Sequence, residues 1–191
     1  MMFESIRKKI TSLKDSPEEL SDYLIDLAKL GDDYVNSNIT VFEDSLFNNS
    51  SPDLRMAGLY GILFKLKRRD QRYIKQVISL LENQKEDEEV KKWCVTGLSS
   101  AFWASKDSCI LKLLNTKMLD EWEDFSIRKN CFIAQLNIIG IDTGQIQLRC
   151  KVPLQSNNKS FFNINLPIFK DEISEIDYLI EGCNQSDFLS N

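Results

Sequence analysis

The sequence of 191 residues contains no histidine. Histidine is the commonest general base and the usual partner of a serine or cysteine nucleophile. It is also a frequent zinc ligand, and the cysteines lack the CxxC spacing of a cysteine-only site. The phosphate-binding motifs GxGxxG and GxxxxGK[ST] and the hydrolase motifs HExxH and GxSxG are absent too. These absences predict a non-enzymatic protein with no catalytic residues, no cofactor and no metal.

Long apolar runs are missing as well. No stretch approaches the roughly 20 apolar residues that a membrane-spanning helix needs. The opening segment MMFESIRKKITSLK lacks the apolar core and the cleavage site of a secretory signal.

The cysteines are five in number and widely spaced, at Cys94, Cys109, Cys131, Cys150 and Cys183. An odd, scattered set indicates reduced thiols, so the sequence predicts a cytoplasmic protein that does not contact a membrane.

Basic residues are outnumbered by acidic ones. The chain has 24 lysines and arginines against 29 aspartates and glutamates, which gives a net charge of −5. Nucleic-acid binding usually depends on a basic face, so the charge balance disfavours nucleic acid. It favours a protein partner, neutral or basic. With 42% hydrophobic residues, a chain of this length can bury the core of one domain or of one short repeat array.

A short pattern recurs along the chain. An aliphatic residue followed by a basic one begins an apolar helical segment at Leu54-Arg55, Val90-Lys91 and Ile127-Arg128. These pairs lie 36 and 37 residues apart. The segments YIKQVISLLEN and CILKLLNTKML between them have helical periodicity of their own. A period in the high thirties is typical of stacked helical pairs, and small residues such as Gly58 and Gly61 predict closely approaching helices.

The pattern extends towards the N-terminus. SPEELSDYLIDLAKLG predicts a helix with Ser16 as N-cap, Pro17 at its first position and Glu19 completing a capping box, ending at Gly31. NITVFEDSLFNN would form the second helix of this first pair, and a short helix at 2–14 would precede it. The sequence therefore predicts three helical pairs and an incomplete fourth after residue 124.

The composition and the hydrophobic pattern of the sequence change after Gly140. Residues 141–170 contain Pro153, Pro167 and several Asn and Ser, and the alternation at Gln145 to Arg149 suits extended chain better than helix. A last helix, KDEISEIDYLIEG, has an apolar face and a strongly acidic one. We expect a helical repeat array over residues 1–140 and a C-terminal capping segment over residues 141–191. The sequence leaves open whether this segment or a second copy of the chain covers the end of the array.

With these segments in view, the chain resembles the HEAT-repeat superfamily of armadillo-type helical solenoids. The resemblance rests on SPDLRMAGLYGIL, EDEEVKKWCVTGL and EDFSIRKNCFIAQL, each an acidic turn followed by an aliphatic-basic pair and an apolar helix. It covers roughly residues 16–140. It implies an all-α, right-handed HEAT-like solenoid of about three and a half helical pairs with an irregular, partly extended C-terminal cap, and families of this kind are mostly scaffolds that hold other proteins.

The acidic run at residues 86–89 begins one of these repeat helices. Carboxylates are favoured at a helix N-terminus, and the equivalent turns carry Asp53 and Glu123-Asp124, so helix capping explains much of the run. Four consecutive acids exceed what capping needs, and the surplus predicts a partner-binding surface. The predicted partner-binding residues are Glu86, Asp87, Glu88, Glu89, Trp103, Glu121, Trp122, Glu123 and Asp124.

Three tryptophans lie near one repeat junction in the sequence. Tryptophan is a preferred interface anchor, although most large side chains in such an array belong to the core. The helical pattern favours the core for Trp93. Trp103 and Trp122 lie beside predicted loops. For these two side chains, burial in the core and contact with a partner are equally good interpretations.

A basic cluster surrounds one predicted turn between helices. Its members are Lys65, Lys67, Arg68, Arg69, Arg72 and Lys75. Such a cluster can bind phosphate or nucleic acid, but cations are also favoured at a helix C-terminus, and we prefer the second interpretation.

Two functions follow from these patterns. The first is non-enzymatic binding of a basic protein through the acidic surface, most concretely by a bacterial immunity protein that neutralises a toxin. The alternative comes from the resemblance, because some HEAT-like proteins are DNA glycosylases that use tryptophans beside an aspartate in a basic groove. Trp103, Asp107 and Arg128 would be the corresponding residues here. A HEAT-like glycosylase or nucleic-acid-binding protein should lose DNA binding when Arg68 and Arg69 are changed to Glu.

Overall fold

A computed structural model describes residues 2–47 and 50–181 of the protein. These residues contain no strand, and helices account for 75% of the structure. The predicted all-α class is therefore confirmed. The chain divides into two compact units, Met1–Gly97 and Leu98–Asn191, and the division falls within one helix, Glu88–Ala101.

The helices of the first unit follow the predicted order closely. They are α1 (Met2–Ser12), α2 (Pro17–Leu30), α3 (Asp32–Ser37), α4 (Ile39–Phe47), α5 (Pro52–Leu59), a π-helical segment (Tyr60–Lys65) and α6 (Gln71–Glu82). The helix that crosses the division is α7 (Glu88–Ala101). The predicted capping box of α2 is wrong, because the Ser16 side chain makes no capping hydrogen bond. Pro17 and the acidic first turn begin this helix instead.

The second unit continues with shorter helices towards its end. They are α8 (Ser108–Leu119), α9 (Phe125–Ile138), α10 (Thr143–Arg149), α11 (Phe161–Asn165), a 3₁₀ turn (Leu166–Phe169) and α12 (Lys170–Glu181). The three helices predicted to begin at the recurring pattern are α5, α7 and α9. They start at Pro52, Glu88 and Phe125, 36 and 37 residues apart, so their positions and spacing are confirmed.

Two glycines allow α4 to pack directly against α5 and the π-helical segment. A Cβ added to Gly58 would lie 2.8 Å from the Leu46 nitrogen and 2.8 Å from the Phe42 oxygen, and one added to Gly61 would lie 2.4 Å from the Phe42 ring. No side chain fits in this space, since real Cβ atoms do not approach within 3.0 Å of their neighbours. The close helix approach predicted from the small residues is therefore present in the first unit.

The prediction of extended chain at residues 145–149 is wrong, because these residues lie in α10. Asp142 is the N-cap of this helix, and its carboxylate accepts a hydrogen bond of 2.9 Å from the Gln145 amide. The alternating pattern was misleading because its two apolar residues have different environments. Ile146 is buried, whereas Leu148 is 89% exposed.

Aromatic rings fix the last part of the second unit to α9. Phe161 and Phe169 are fully buried and meet Phe132 of α9 edge to face, with ring centroids 6.1 and 5.6 Å apart. Lys129 of α9 is also buried and donates a hydrogen bond of 3.0 Å to the Ser156 carbonyl. Edge-to-face contacts add to the free energy gained by burying the rings, so the segment that follows α10 is part of the core of this unit.

One asparagine organises the loop between α10 and α11. The Asn165 side chain is completely buried and accepts hydrogen bonds from the amides of Lys151 (3.0 Å) and Val152 (3.2 Å). Its amide group donates to the Val152 carbonyl at 3.0 Å. These bonds give hydrogen-bond partners to backbone groups that lie outside any helix, which explains how the loop containing Pro153 remains ordered.

Candidate protein-binding turn and its surroundings

The acidic run at residues 86–89, which leads into the first turn of α7, is divided between buried and exposed carboxylates. The Glu86 side chain is only 5% exposed and accepts a hydrogen bond of 2.5 Å from the guanidinium group of Arg55, which is 13% exposed. Asp87 caps α7, since its carboxylate accepts from the amides of Glu89 (2.8 Å) and Val90 (3.4 Å). Glu86 is thus a structural residue, contrary to its predicted place on a partner-binding surface. Glu88 and Glu89 are exposed and remain candidates.

The turn before α9 repeats this arrangement in the second unit. The Glu123 side chain is 9% exposed and forms an ion pair of 3.2 Å with Lys117. The Asp124 carboxylate accepts hydrogen bonds from the amides of Ser126 (2.7 Å) and Ile127 (3.4 Å). Glu123 and Asp124 therefore stabilise the N-terminus of α9. Their burial and bonding do not fit the prediction that they contact a partner directly.

Trp122 projects from the same turn into solvent. It is 98% exposed, while Leu119 is 62% exposed and Glu121 is also exposed. The backbone of the turn is nevertheless fixed, because the Asp120 carboxylate accepts a hydrogen bond of 3.0 Å from the Trp122 amide. The Asp120 carbonyl accepts another, of 3.1 Å, from the Glu123 amide. Residues 119–124, hereafter the 119–124 turn, thus present a large apolar side chain and a carboxylate on a fixed backbone.

The other tryptophans lie elsewhere. Trp103 is 42% exposed and precedes α8, whereas the 119–124 turn begins at the last residue of α8. A helix of 12 residues is about 18 Å long, so Trp103 and Trp122 are at opposite ends of α8 and do not form one surface. In the first unit, Trp93 is half-buried and meets the Tyr60 ring edge on, with centroids 5.7 Å apart.

The residues of the glycosylase alternative are not gathered at one place. Asp107 is the N-cap of α8, and its carboxylate accepts hydrogen bonds from the amides of Cys109 (3.1 Å) and Ile110 (2.9 Å). Arg128 donates a hydrogen bond of 2.8 Å to the Met118 carbonyl, near the opposite end of α8. Trp103 and Asp107 therefore share one end of this helix, and Arg128 lies at the other.

Two buried cysteines occupy equivalent positions in the repeat, 37 residues apart. Burial raises the pKa of the Cys131 thiol to about 12, and the nearby Glu123 carboxylate adds to the shift. Burial likewise raises the pKa of the Cys94 thiol, with Glu86 acting in the same direction. The thiolate is the reactive form of cysteine, so both thiols are unreactive as long as they stay buried. Cys183 lies outside the described residues.

Part of the basic cluster lines a pocket that the sequence did not predict. Lys67, Arg68 and Arg69 face Asp32 and Asn36 of α3 across a volume of about 650 Å³. The rest of the cluster is distributed differently, since Arg72 pairs with Glu43 and Lys75 is exposed on α6. The cations of the pocket follow the π-helical segment that ends at Lys65. No local sequence pattern relates them to Asp32 and Asn36, which lie more than 30 residues earlier in the chain.

Comparison of the chain with protein families, with curated proteins and with solved structures found no significant match. Over residues 2–47 and 50–181, every helix is too short or too polar to cross a membrane.

Proposed function

We propose that the protein is a non-enzymatic binding protein that holds a basic protein partner through the 119–124 turn. The observation that carries this proposal is the 98% exposure of Trp122 on a backbone fixed by hydrogen bonds. Tryptophan is enriched among residues that dominate binding energy, and a fixed turn loses little conformational freedom when it binds. Leu119 widens the apolar area, and Glu121 adds negative charge beside it.

The scaffold behind this turn is, in this proposal, a right-handed HEAT-like solenoid of about three and a half helical pairs. Support comes from side chains that recur with the repeat in each unit. The pairs Glu86 and Glu123, Asp87 and Asp124, and Cys94 and Cys131 are each 37 residues apart and have matching roles, as a buried carboxylate in an ion pair, an N-cap and a buried thiol. Recurrence of buried and capping residues is what stacked helical pairs require.

The charge of the chain suggests the kind of partner. A net charge of −5 together with exposed Glu88, Glu89 and Glu121 would speed association with a basic protein at low salt. The most concrete role of this kind is that of a bacterial immunity protein that neutralises a basic toxin. Cytoplasmic location is part of the proposal, and it agrees with the described cysteines Cys94, Cys109, Cys131 and Cys150 forming no disulfide.

The test is affinity capture from a lysate of the native cells, followed by measurement of the affinity for any basic protein retained. Changing Trp122 to Ala should weaken the complex at least about 30-fold, because interface hot spots contribute 2 kcal/mol or more. The matched control is Leu148→Ala, which removes another exposed apolar side chain from the same unit and should leave the affinity unchanged.

The acidic component needs a variant that does not disturb the fold. Changing Glu88, Glu89 and Glu121 together to Gln leaves Glu86, Asp87, Glu123 and Asp124 in place. This variant should associate more slowly, and its association rate should depend less on salt. The captured protein should be toxic when produced alone and harmless when produced with the wild-type chain. Equal capture by the wild-type chain and the Trp122→Ala variant would contradict the proposal.

A further inference from the structure

The pocket beside α3 is lined by both cations and carboxylates. Lys67, Arg68 and Arg69 are exposed, as are Asp32 and Asp70. Arg68 makes a long hydrogen bond of 3.4 Å to the Asn36 side-chain oxygen. This contact directs its guanidinium group towards α3 and leaves most of its five N–H donors available. Asp32 of α3 thus stands on one side of the opening, and the cations stand on the other side together with Asp70.

The backbone holds Lys67 in a conformation that lysine disfavours. The Leu66 amide donates to the Gly61 carbonyl at 3.1 Å, and the Arg68 amide donates to the Ile62 carbonyl at 3.0 Å. Between these two bonds Lys67 has a φ of 50°, in the left-handed region where a helix usually ends with glycine. A side chain at this position lowers stability relative to glycine, and residues in strained conformations cluster at functional sites.

We propose that this pocket binds a small phosphate ester that carries hydroxyl groups. Lys67 and Arg68 would bind the phosphate oxygens, since arginine in particular matches phosphate geometry. The carboxylates of Asp32 and Asp70 accept hydrogen bonds from hydroxyl groups on the other part of the molecule. The opening has a volume of about 650 Å³, enough for a small phosphate ester, and it is broadly open to solvent.

A nucleic acid strand fits the pocket less well than a small ester. A strand needs a basic track that follows several phosphates, and here the cations are flanked by Asp32 and Asp70. The chain as a whole also has a net charge of −5. Carboxylates beside the cations repel a continuous polyanion, but they suit one phosphate attached to a sugar or another polyol.

The first experiment is isothermal titration of the full chain at low ionic strength with ribose 5-phosphate and with inorganic phosphate. Both should bind saturably at one site, and ribose 5-phosphate should bind more tightly because its hydroxyl groups reach Asp32 and Asp70. Changing Arg68 to Ala should weaken both ligands about tenfold or more. Changing Asp32 to Asn should reduce the preference for ribose 5-phosphate over phosphate.

The control is Lys75→Ala, which removes one positive charge from an exposed position on α6 outside the pocket. It should change both affinities by less than about twofold, as expected of a charge without direct contact in salt solution. A loss equal to that of Arg68→Ala would show that only overall charge matters, and the proposal would fall.

Lys67→Gly separates binding from stability. Glycine relieves the left-handed conformation, so we expect a higher Tm, together with weaker binding of ribose 5-phosphate because the ammonium group is lost. If Lys67 only ended the helix and did not contact the ligand, the Lys67→Gly variant would bind ribose 5-phosphate as tightly as the wild type. The proposal is also overturned if ribose 5-phosphate shows no saturable binding, or if a single-stranded oligonucleotide binds more tightly at the same phosphate concentration. It does not depend on the 119–124 turn, and its variants leave Trp122 unchanged.

Discussion

Glu86 and Glu88 are two positions apart and have opposite roles. The Glu86 carboxylate is buried against Arg55 in the first unit, while the Glu88 carboxylate lies in solvent. Removing one partner of a buried ion pair takes a favourable interaction away from a charge that is largely shielded from water, which costs much more free energy than removing a surface charge. The acidic run is therefore not one surface, and its residues respond differently to substitution.

We expect Glu86→Gln to lower the free energy of unfolding by about 3 kcal/mol or more, because Arg55 would keep its charge in a buried site. Glu88→Gln, the matched control, should stay within about 0.5 kcal/mol of the wild type. Urea unfolding followed by circular dichroism measures both values. Replacing the pair together, with Arg55→Met and Glu86→Leu, should recover much of the loss. Equal effects of Glu86→Gln and Glu88→Gln would contradict the role assigned to Glu86.

At the scale of helices, the effect of a substitution also depends on what the residue contacts. Gly58 lies inside the continuous helix that α5 forms with the π-helical segment, where exchange for Ala would ordinarily stabilise a helix by about 1 kcal/mol. The backbone of α4 occupies the space that its Cβ would need. Packing between α4 and α5, rather than helix propensity, therefore determines which residue this position accepts.

We expect Gly58→Ala to destabilise the protein by about 1–3 kcal/mol, since α4 would have to move away from α5. The sign of the change is the test, because propensity and packing act in opposite directions. Thermal unfolding of the variant gives this sign directly. An increase in Tm would mean that the two helices do not approach as closely as described.

The sequence predicted those elements whose signals are local and periodic. The starts of α5, α7 and α9 were predictable because an acidic turn, an aliphatic-basic pair and an apolar stripe recur at each. The start of α10 was not predictable from the sequence. Its apolar residues alternate as in a strand, but one of them is exposed, so the alternation does not reflect which side chains are buried. The pocket beside α3 and the pairing of Glu86 with Arg55 depend on contacts across about 30 residues, which no local pattern encodes. The exposed 119–124 turn was predicted in part, since Trp122 lay beside a loop, but its distance from Trp103 depended on where α8 begins and ends.

For the whole molecule, the division of the chain into two units has consequences for unfolding. Among the described residues, Cys94 in α7 is the fully buried cysteine of the first unit and Cys131 in α9 that of the second. A buried thiol with a raised pKa reacts only when its surroundings open. The two cysteines therefore report separately on the opening of the two units.

We expect slow alkylation of both cysteines in the native protein, with rates that respond to different substitutions. Glu86→Gln should accelerate Cys94 more than Cys131, because it weakens the first unit. Phe132→Ala removes a buried ring from the second unit and should have the opposite preference. Mass spectrometry of the alkylated peptides measures each rate. If both substitutions accelerated both cysteines equally, the chain would be opening as one cooperative whole.

The 119–124 turn also bears on how such a protein can change over generations. Asp120, Glu123 and Asp124 maintain its backbone, while residues 119, 121 and 122 extend into solvent and contribute little to the core. Substitutions at exposed positions leave the free energy of folding nearly unchanged, so most sequences at these three positions are compatible with a folded chain. Under the proposed function, a lineage can therefore exchange these residues one at a time as its partner changes without losing the structure that displays them.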